Sequence, residues 1–135
     1  MAHRFFWLLV FFLFCLGCDS GPKSYPVEGQ VVYSNGEHAD NLKDGSLEFT
    51  PVGNSVSARA SILANGKFVM STRQSADGAL PGDYLVSIVP PETEVDKPVV
   101  RVLDPKYSDP NQSGLKVTIK PEKNVLKLTI EKFKK

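Results

Sequence analysis

Thiols and imidazoles are scarce in this chain of 135 residues. It has two cysteines, Cys15 and Cys18, and two histidines, His3 and His38. From residue 19 onward there is no thiol, so a disulfide, a Cys-ligated metal and thiol catalysis are all excluded there. With His38 as the one imidazole of that part, a two-histidine zinc site is excluded, and a Ser-His-Asp set would have to run through His38 itself. No Gly-x-Ser-x-Gly elbow is present. An excess of charge is missing too: 16 Lys and Arg stand against 15 Asp and Glu. That balance argues against a dedicated nucleic-acid binder. No internal repeat and no sustained helical period follow Cys18, and no metal or other cofactor is implied.

The longest apolar run covers residues 5–16, Phe-Phe-Trp-Leu-Leu-Val-Phe-Phe-Leu-Phe-Cys-Leu, after the basic pair His3-Arg4. As a helix it would reach roughly 18 Å, short of the ~30 Å hydrocarbon core. A basic start, a short apolar stretch and small Gly17 are the parts of a signal peptide. Cys15-Leu16-Gly17-Cys18 resembles the lipobox of bacterial lipoproteins, with Cys15 where Leu is common. The resemblance implies a diacylglyceryl group on the Cys18 sulfur and cleavage before Cys18. Long acyl chains at about 0.8 kcal/mol per buried CH₂ then hold the protein to a membrane. Expected divisions are a signal peptide over 1–17, the lipidated Cys18 with a short polar linker over 18–24, and one β-domain over 25–133. Six linker residues span at most about 20 Å, which keeps the domain close to the bilayer. Asp19 after Cys18 is the inner-membrane retention signal in enteric bacteria.

The rest alternates with period two in short runs separated by turn signals. Val27, Val31 and Tyr33 are expected inward with Gly29, and Glu28 and Gln30 outward. Leu47 and Phe49 are expected inward. Asn65-Gly66 predicts a hairpin between strands over 57–64 and 67–72, because a tight turn needs positive φ at both positions. Residues 83–89 are apolar on both alternations, which predicts a central strand. Five prolines (Pro90, Pro91, Pro98, Pro105, Pro110) make 90–114 a long loop, with a short edge strand expected near 99–102. Residues 115–120 and 125–132 are expected to form a final hairpin. Seven or so strands predict an all-β sandwich, with a small closed barrel as the alternative.

Four segments in order resemble one type of protein. They are Tyr25-Pro-Val-Glu-Gly-Gln-Val-Val-Tyr33, Asn65-Gly-Lys-Phe68, Asp77-Gly-Ala-Leu-Pro-Gly-Asp-Tyr-Leu-Val86, and Leu103-Asp-Pro-Lys-Tyr-Ser-Asp-Pro-Asn-Gln-Ser-Gly-Leu115. Together they resemble small bacterial lipoproteins, abundant in planctomycetes, with a single transthyretin-like or carboxypeptidase-regulatory-like domain. The resemblance implies an all-β, Ig-like or prealbumin-like Greek-key sandwich of about seven strands, no established enzyme activity and no defined site beyond Cys18. The superfamily's hydroxyisourate hydrolases end in Tyr-Arg-Gly-Ser, whereas this chain ends Glu-Lys-Phe-Lys-Lys135, which excludes that activity.

The expected function is a lipid-anchored, non-catalytic structural or interaction module in the cell envelope, facing the exported side. Its partners would be the membrane, through lipid on Cys18, and an envelope protein or polysaccharide. A second reading makes the 90–114 loop a carbohydrate- or peptide-binding site built on an exposed Tyr107 and on Ser113. A third places a metal-dependent activity around His38. Glu37, Asp40 and Asp44 lie near His38, but Leu42 and Pro51 stand where an EF-hand needs oxygen ligands. Seven lysines (Lys116, Lys120, Lys123, Lys127, Lys132, Lys134, Lys135) against Glu122 and Glu131 make the last stretch basic. That suits anionic headgroups or wall polymers, or else keeps an edge strand from pairing.

Overall fold

Alternation decides which side chains leave water, and the computed structural model, which describes residues 21–53 and 55–134, follows it strand by strand. Seven strands form: β1 (Val27–Tyr33), β2 (Ser46–Pro51), β3 (Ala58–Ser61), β4 (Lys67–Val69), β5 (Gly82–Val89), β6 (Lys116–Ile119) and β7 (Asn124–Ile130). They make two sheets, ordered β4-β1-β7 and β3-β2-β5-β6, in an all-β sandwich. Val27, Val31, Tyr33, Leu47, Phe49, Phe68, Tyr84, Val86 and Ile88 are buried between them. Phe49 of β2 meets the Phe68 ring of β4 edge-on at 6.3 Å and Tyr84 of β5 at 6.0 Å, which ties the two sheets together. The expected central strand is β5, flanked by β2 and β6.

Gly29 lies where β7 and the Phe68 ring of β4 both crowd β1. A Cβ on it would sit 2.4 Å from the Leu126 carbonyl oxygen and 2.6 Å from the Phe68 ring. Only the absence of a side chain lets β7 and Phe68 approach β1 this closely.

The pairing departs from the expected hairpins. β6 and β7 belong to different sheets, and β7 instead runs parallel to β1, from Val27 opposite Asn124 to Tyr33 opposite Ile130. Val117 and Ile119 therefore face Leu126, Leu128 and Ile130 across the sandwich and not along one ladder. The reversal between them is held by Asn124, whose side-chain amide donates to the carbonyls of Lys120 and Glu122 and accepts from the Lys120 amide. Asn65 and Gly66 do take positive φ, 60° and 73°. The turn they form carries the chain from one sheet to the other. Beyond the bond from the Leu63 amide to the Lys67 carbonyl, β3 and β4 meet again only at a bridge between Arg59 and Ser71.

No strand forms at 99–102, where Val99 and Val100 are exposed. The distal edge of β5 that such a strand would use is already occupied. The Ser113 hydroxyl donates to the Val86 carbonyl and the Ser108 hydroxyl to that of Ile88. An immunoglobulin constant domain puts its first, second, fourth and fifth strands in one sheet. Here β1 and β2 lie in opposite sheets, which differs from that constant-domain order.

The chain enters at the end of the sandwich where Tyr25 bridges Ala79. The turn there is organised by Asp77, whose carboxylate accepts from the amides of Thr72, Arg73 and Gln74. Gly78 follows with φ +85°, and a Cβ on it would run into the Tyr25 carbonyl. Partial burial pushes the Asp77 pKa up, but the amide bonds from Thr72, Arg73 and Gln74 outweigh it and hold the pKa below the ordinary value. A depressed native pKa contributes stability above the unfolded value, near pH 4, and that contribution disappears as pH falls through the native one. Urea unfolding should show Asp77→Asn costing about 1–2 kcal/mol at pH 7. The same variant should lose less stability than wild type between pH 5 and the acid limit.

Candidate functional site

The 90–114 segment is where sequence reasoning placed a binding loop. It leaves the distal end of β5 and returns to start β6. Prolines keep its first half without ladder bonds, and it turns once where the Lys97 amide donates to the Glu94 carbonyl. Its second half is tightly built. The Asp104 carboxylate accepts from the Lys106 amide at 3.0 Å and caps a 3₁₀ turn over Pro105–Ser108, with Pro105 at a position that needs no amide hydrogen.

That turn drives Tyr107 into the core. The ring is 3% exposed, and its hydroxyl accepts from the Glu131 amide at 2.9 Å. Tyr107 is thus a peg that fixes the loop to the chain just after β7. Ser113 is 6% exposed. Its hydroxyl donates to the Val86 carbonyl at 2.5 Å and accepts from the Leu115 amide at 3.1 Å. The Asp109 carboxylate accepts from the Asn111 amide, and its carbonyl from the Gln112 and Ser113 amides. Gly114 then turns with φ +71° into β6. The segment running from Leu103 to Leu115 is accordingly a joint, stitched to β5 on one side and to the end of β7 on the other. The expected exposed aromatic is corrected: neither the Tyr107 ring nor the Ser113 hydroxyl faces solvent, because both complete backbone hydrogen bonding that the sheets leave open.

The first half of the loop borders a shallow cleft of about 280 Å³, lined by Pro90, Pro91, Val99, Val100, Val102 and Leu103 among others. It has no convergent polar groups beyond Thr93, Arg101 and Ser108. Arg101 lies 5.6 Å from the Phe133 ring, a cation–π contact between the loop and the C-terminal stretch.

His38 is exposed in the β1–β2 connection, where its backbone bridges Val32. The acids near it in sequence are not gathered around it. Glu37 pairs with Lys132, and the hydrogen bond from that ammonium holds the Glu37 carboxyl below its usual pKa. Asp40 accepts from the Asn65 amide at 2.6 Å. Among the described residues no group of three or more His, Cys, Asp or Glu side chains comes together as metal ligands would. Cys18, the expected lipidation site, lies outside the described residues, and none of the helices described is long and apolar enough to cross a membrane.

The lysines of the last stretch do not make one face. Lys116 is on β6 and Lys127 on β7, strands of different sheets. Lys123 pairs with Glu28 at 3.0 Å, and Lys132 with Glu37. What the sequence reading missed is the position of β7 as the outer strand of its sheet, with β1 as its one partner among the described residues. Its signal was present in Tyr25–Tyr33 and 125–132 as two alternating runs at the two ends of the chain, but alternation does not name a partner.

No family model, curated protein or solved structure matches this chain.

Replacing Tyr107 by Phe should separate the peg's two parts. The ring stays and the acceptor for the Glu131 amide goes, so denaturant unfolding should show a loss of about 1–2 kcal/mol. Tyr107→Ala should cost about 3–5 kcal/mol.

Proposed function

We propose that the chain is a lipid-anchored, non-catalytic β-sandwich that serves as a structural or interaction module on the exported side of a bacterial envelope membrane. The observation that carries this reading is the leader itself: a basic pair, twelve apolar residues and Leu16-Gly17-Cys18. The all-β sandwich of seven strands in two sheets is the kind of domain that the transthyretin-like lipoprotein resemblance implies.

The geometry of the domain suits such a tether. Tyr25, seven residues after Cys18, enters beside the turn over 72–79. The 90–114 loop stands at the other end of β5, an eight-residue strand about 25 Å long. Anchored through Cys18, the domain would turn its Asp77 end to the bilayer and its Pro-rich loop away from it. The interaction reading no longer rests on Tyr107 and Ser113, since both are consumed by the fold.

The test is the intact mass of protein extracted from membranes. A chain beginning at Cys18 and carrying a diacylglyceryl group is expected, and Cys18→Ser should stay uncleaved or lose its lipid. Unmodified Cys18, or a mature chain starting at Ser20 or later, would overturn the reading.

A further inference from the structure

The longest outer strand of the described domain with a single partner is the seven-residue β7. In a sheet ordered β4-β1-β7, that strand uses one side only. The phase of its ladder is set at both ends. The Asn124 amide donates to the Pro26 carbonyl, and the Ile130 carbonyl accepts from the Ser34 amide. Even-numbered residues from 124 to 130 therefore turn their backbone groups to β1, and Val125, Lys127 and Thr129 turn theirs outward. The next outward amide, that of Glu131, is already taken by the Tyr107 hydroxyl. At the other end the Asn124 side chain closes the 120–123 turn. The result is a bounded window of three donors and three acceptors over 125–129.

We propose that this window binds an extended acidic peptide by strand addition, its residues alternating acidic and apolar. Three features of the window specify that occupant. First, the side chains flanking it on the outer face are Val125, Lys127 and Thr129, all exposed. Lys127 is in none of the ion pairs of the described residues. Second, the inner side of the window opens on Leu126 and on Val117 of β6, both half-buried, so alternate apolar side chains of an added strand would cover the seam of the core. Third, on the outer face a groove of about 480 Å³ runs from Val125 and Lys127 across Glu28 and Gln30 of β1 to Lys67 and Val69 of β4, and Glu28 is held by Lys123, so among the described residues Lys127 is the unpaired charge at the β7 end of that groove.

The same lysine selects against a second copy. Antiparallel self-pairing centred on the window would place Lys127 opposite Lys127, and like charges directly opposite destabilise a ladder. An acidic strand meets the reverse situation. Attraction and exclusion thus come from one side chain. The inference deepens the interaction-module reading but needs no lipid, so its outcome is independent of the Cys18 mass.

The experiment titrates the full chain, in nonionic detergent micelles, into a fluorescently labelled synthetic peptide alternating Glu and Val over eight residues. Saturable binding that weakens with salt is expected. A peptide N-methylated at alternate amides, which leaves the protein untouched, should bind at least about tenfold more weakly. Thr129→Pro removes one outward amide without breaking the β1 ladder and should weaken binding similarly. Lys127→Glu should shift preference to the matching Lys/Val peptide. Equal binding of the N-methylated peptide, equal binding of the Glu/Val and Lys/Val peptides by wild type, no saturable binding, or a dimer by sedimentation without peptide would each overturn the proposal.

Discussion

The parallel pairing of β1 with β7 is the contact on which this fold depends. It joins the first strand to the last along seven register pairs, from Val27 opposite Asn124 to Tyr33 opposite Ile130. Without it the three-stranded sheet would be reduced to β1 and the three residues of β4. Two strands alone make a poor sheet, and the inward residues Leu128 and Ile130 would have nothing to cover. No disulfide can reinforce the closure, since no cysteine follows Cys18. It rests on ladder bonds, on the core between the sheets, and on Gly29 allowing β7 to lie close. Closing so long a loop is entropically costly and slows folding, which is why the supporting contacts at both ends of β7 matter.

Those supports explain the long Pro-rich connection. A sandwich with three and four strands leaves carbonyls and amides open where the sheets differ in extent. Ser108 and Ser113 satisfy two carbonyls of β5, and Tyr107 satisfies the amide that follows β7. One segment thereby links the central strand of one sheet to the end of the other. Its hydroxyls do the work that an eighth strand's backbone would otherwise do. The polarity of the domain follows: a tightly capped entry around Asp77 and Tyr25 at one end, and the loop with its exposed Val95, Val99 and Val100 at the other.

Inward faces were legible in the sequence because period-two alternation is local. Val27, Val31 and Tyr33, and Leu47 and Phe49, all face the core as their spacing implied. Partners were not legible in the same way. β6 and β7 carry matched apolar faces and are four residues apart, so a hairpin reads naturally, yet their faces match because they oppose each other across a core. Asn65-Gly66 was read correctly in its backbone angles and wrongly in its destination, since φ values say nothing about which sheet the next strand joins. Tyr107 lay in a segment without periodicity, where burial is decided by a turn and one distant amide. Residues at the candidate loop were therefore identifiable as unusual, but their task was visible only once Glu131 and Val86 stood beside them.

Amide hydrogen exchange along β7 tests the account most directly. If β7 is the outer strand of a parallel pair with β1, the amides of Leu126, Leu128 and Ile130 will be protected, those of Val125, Lys127 and Thr129 will exchange rapidly, and that of Glu131 will be slowed by Tyr107. Protection of Val125, Lys127 and Thr129 equal to that of their neighbours, or rapid exchange along the whole strand, would contradict it.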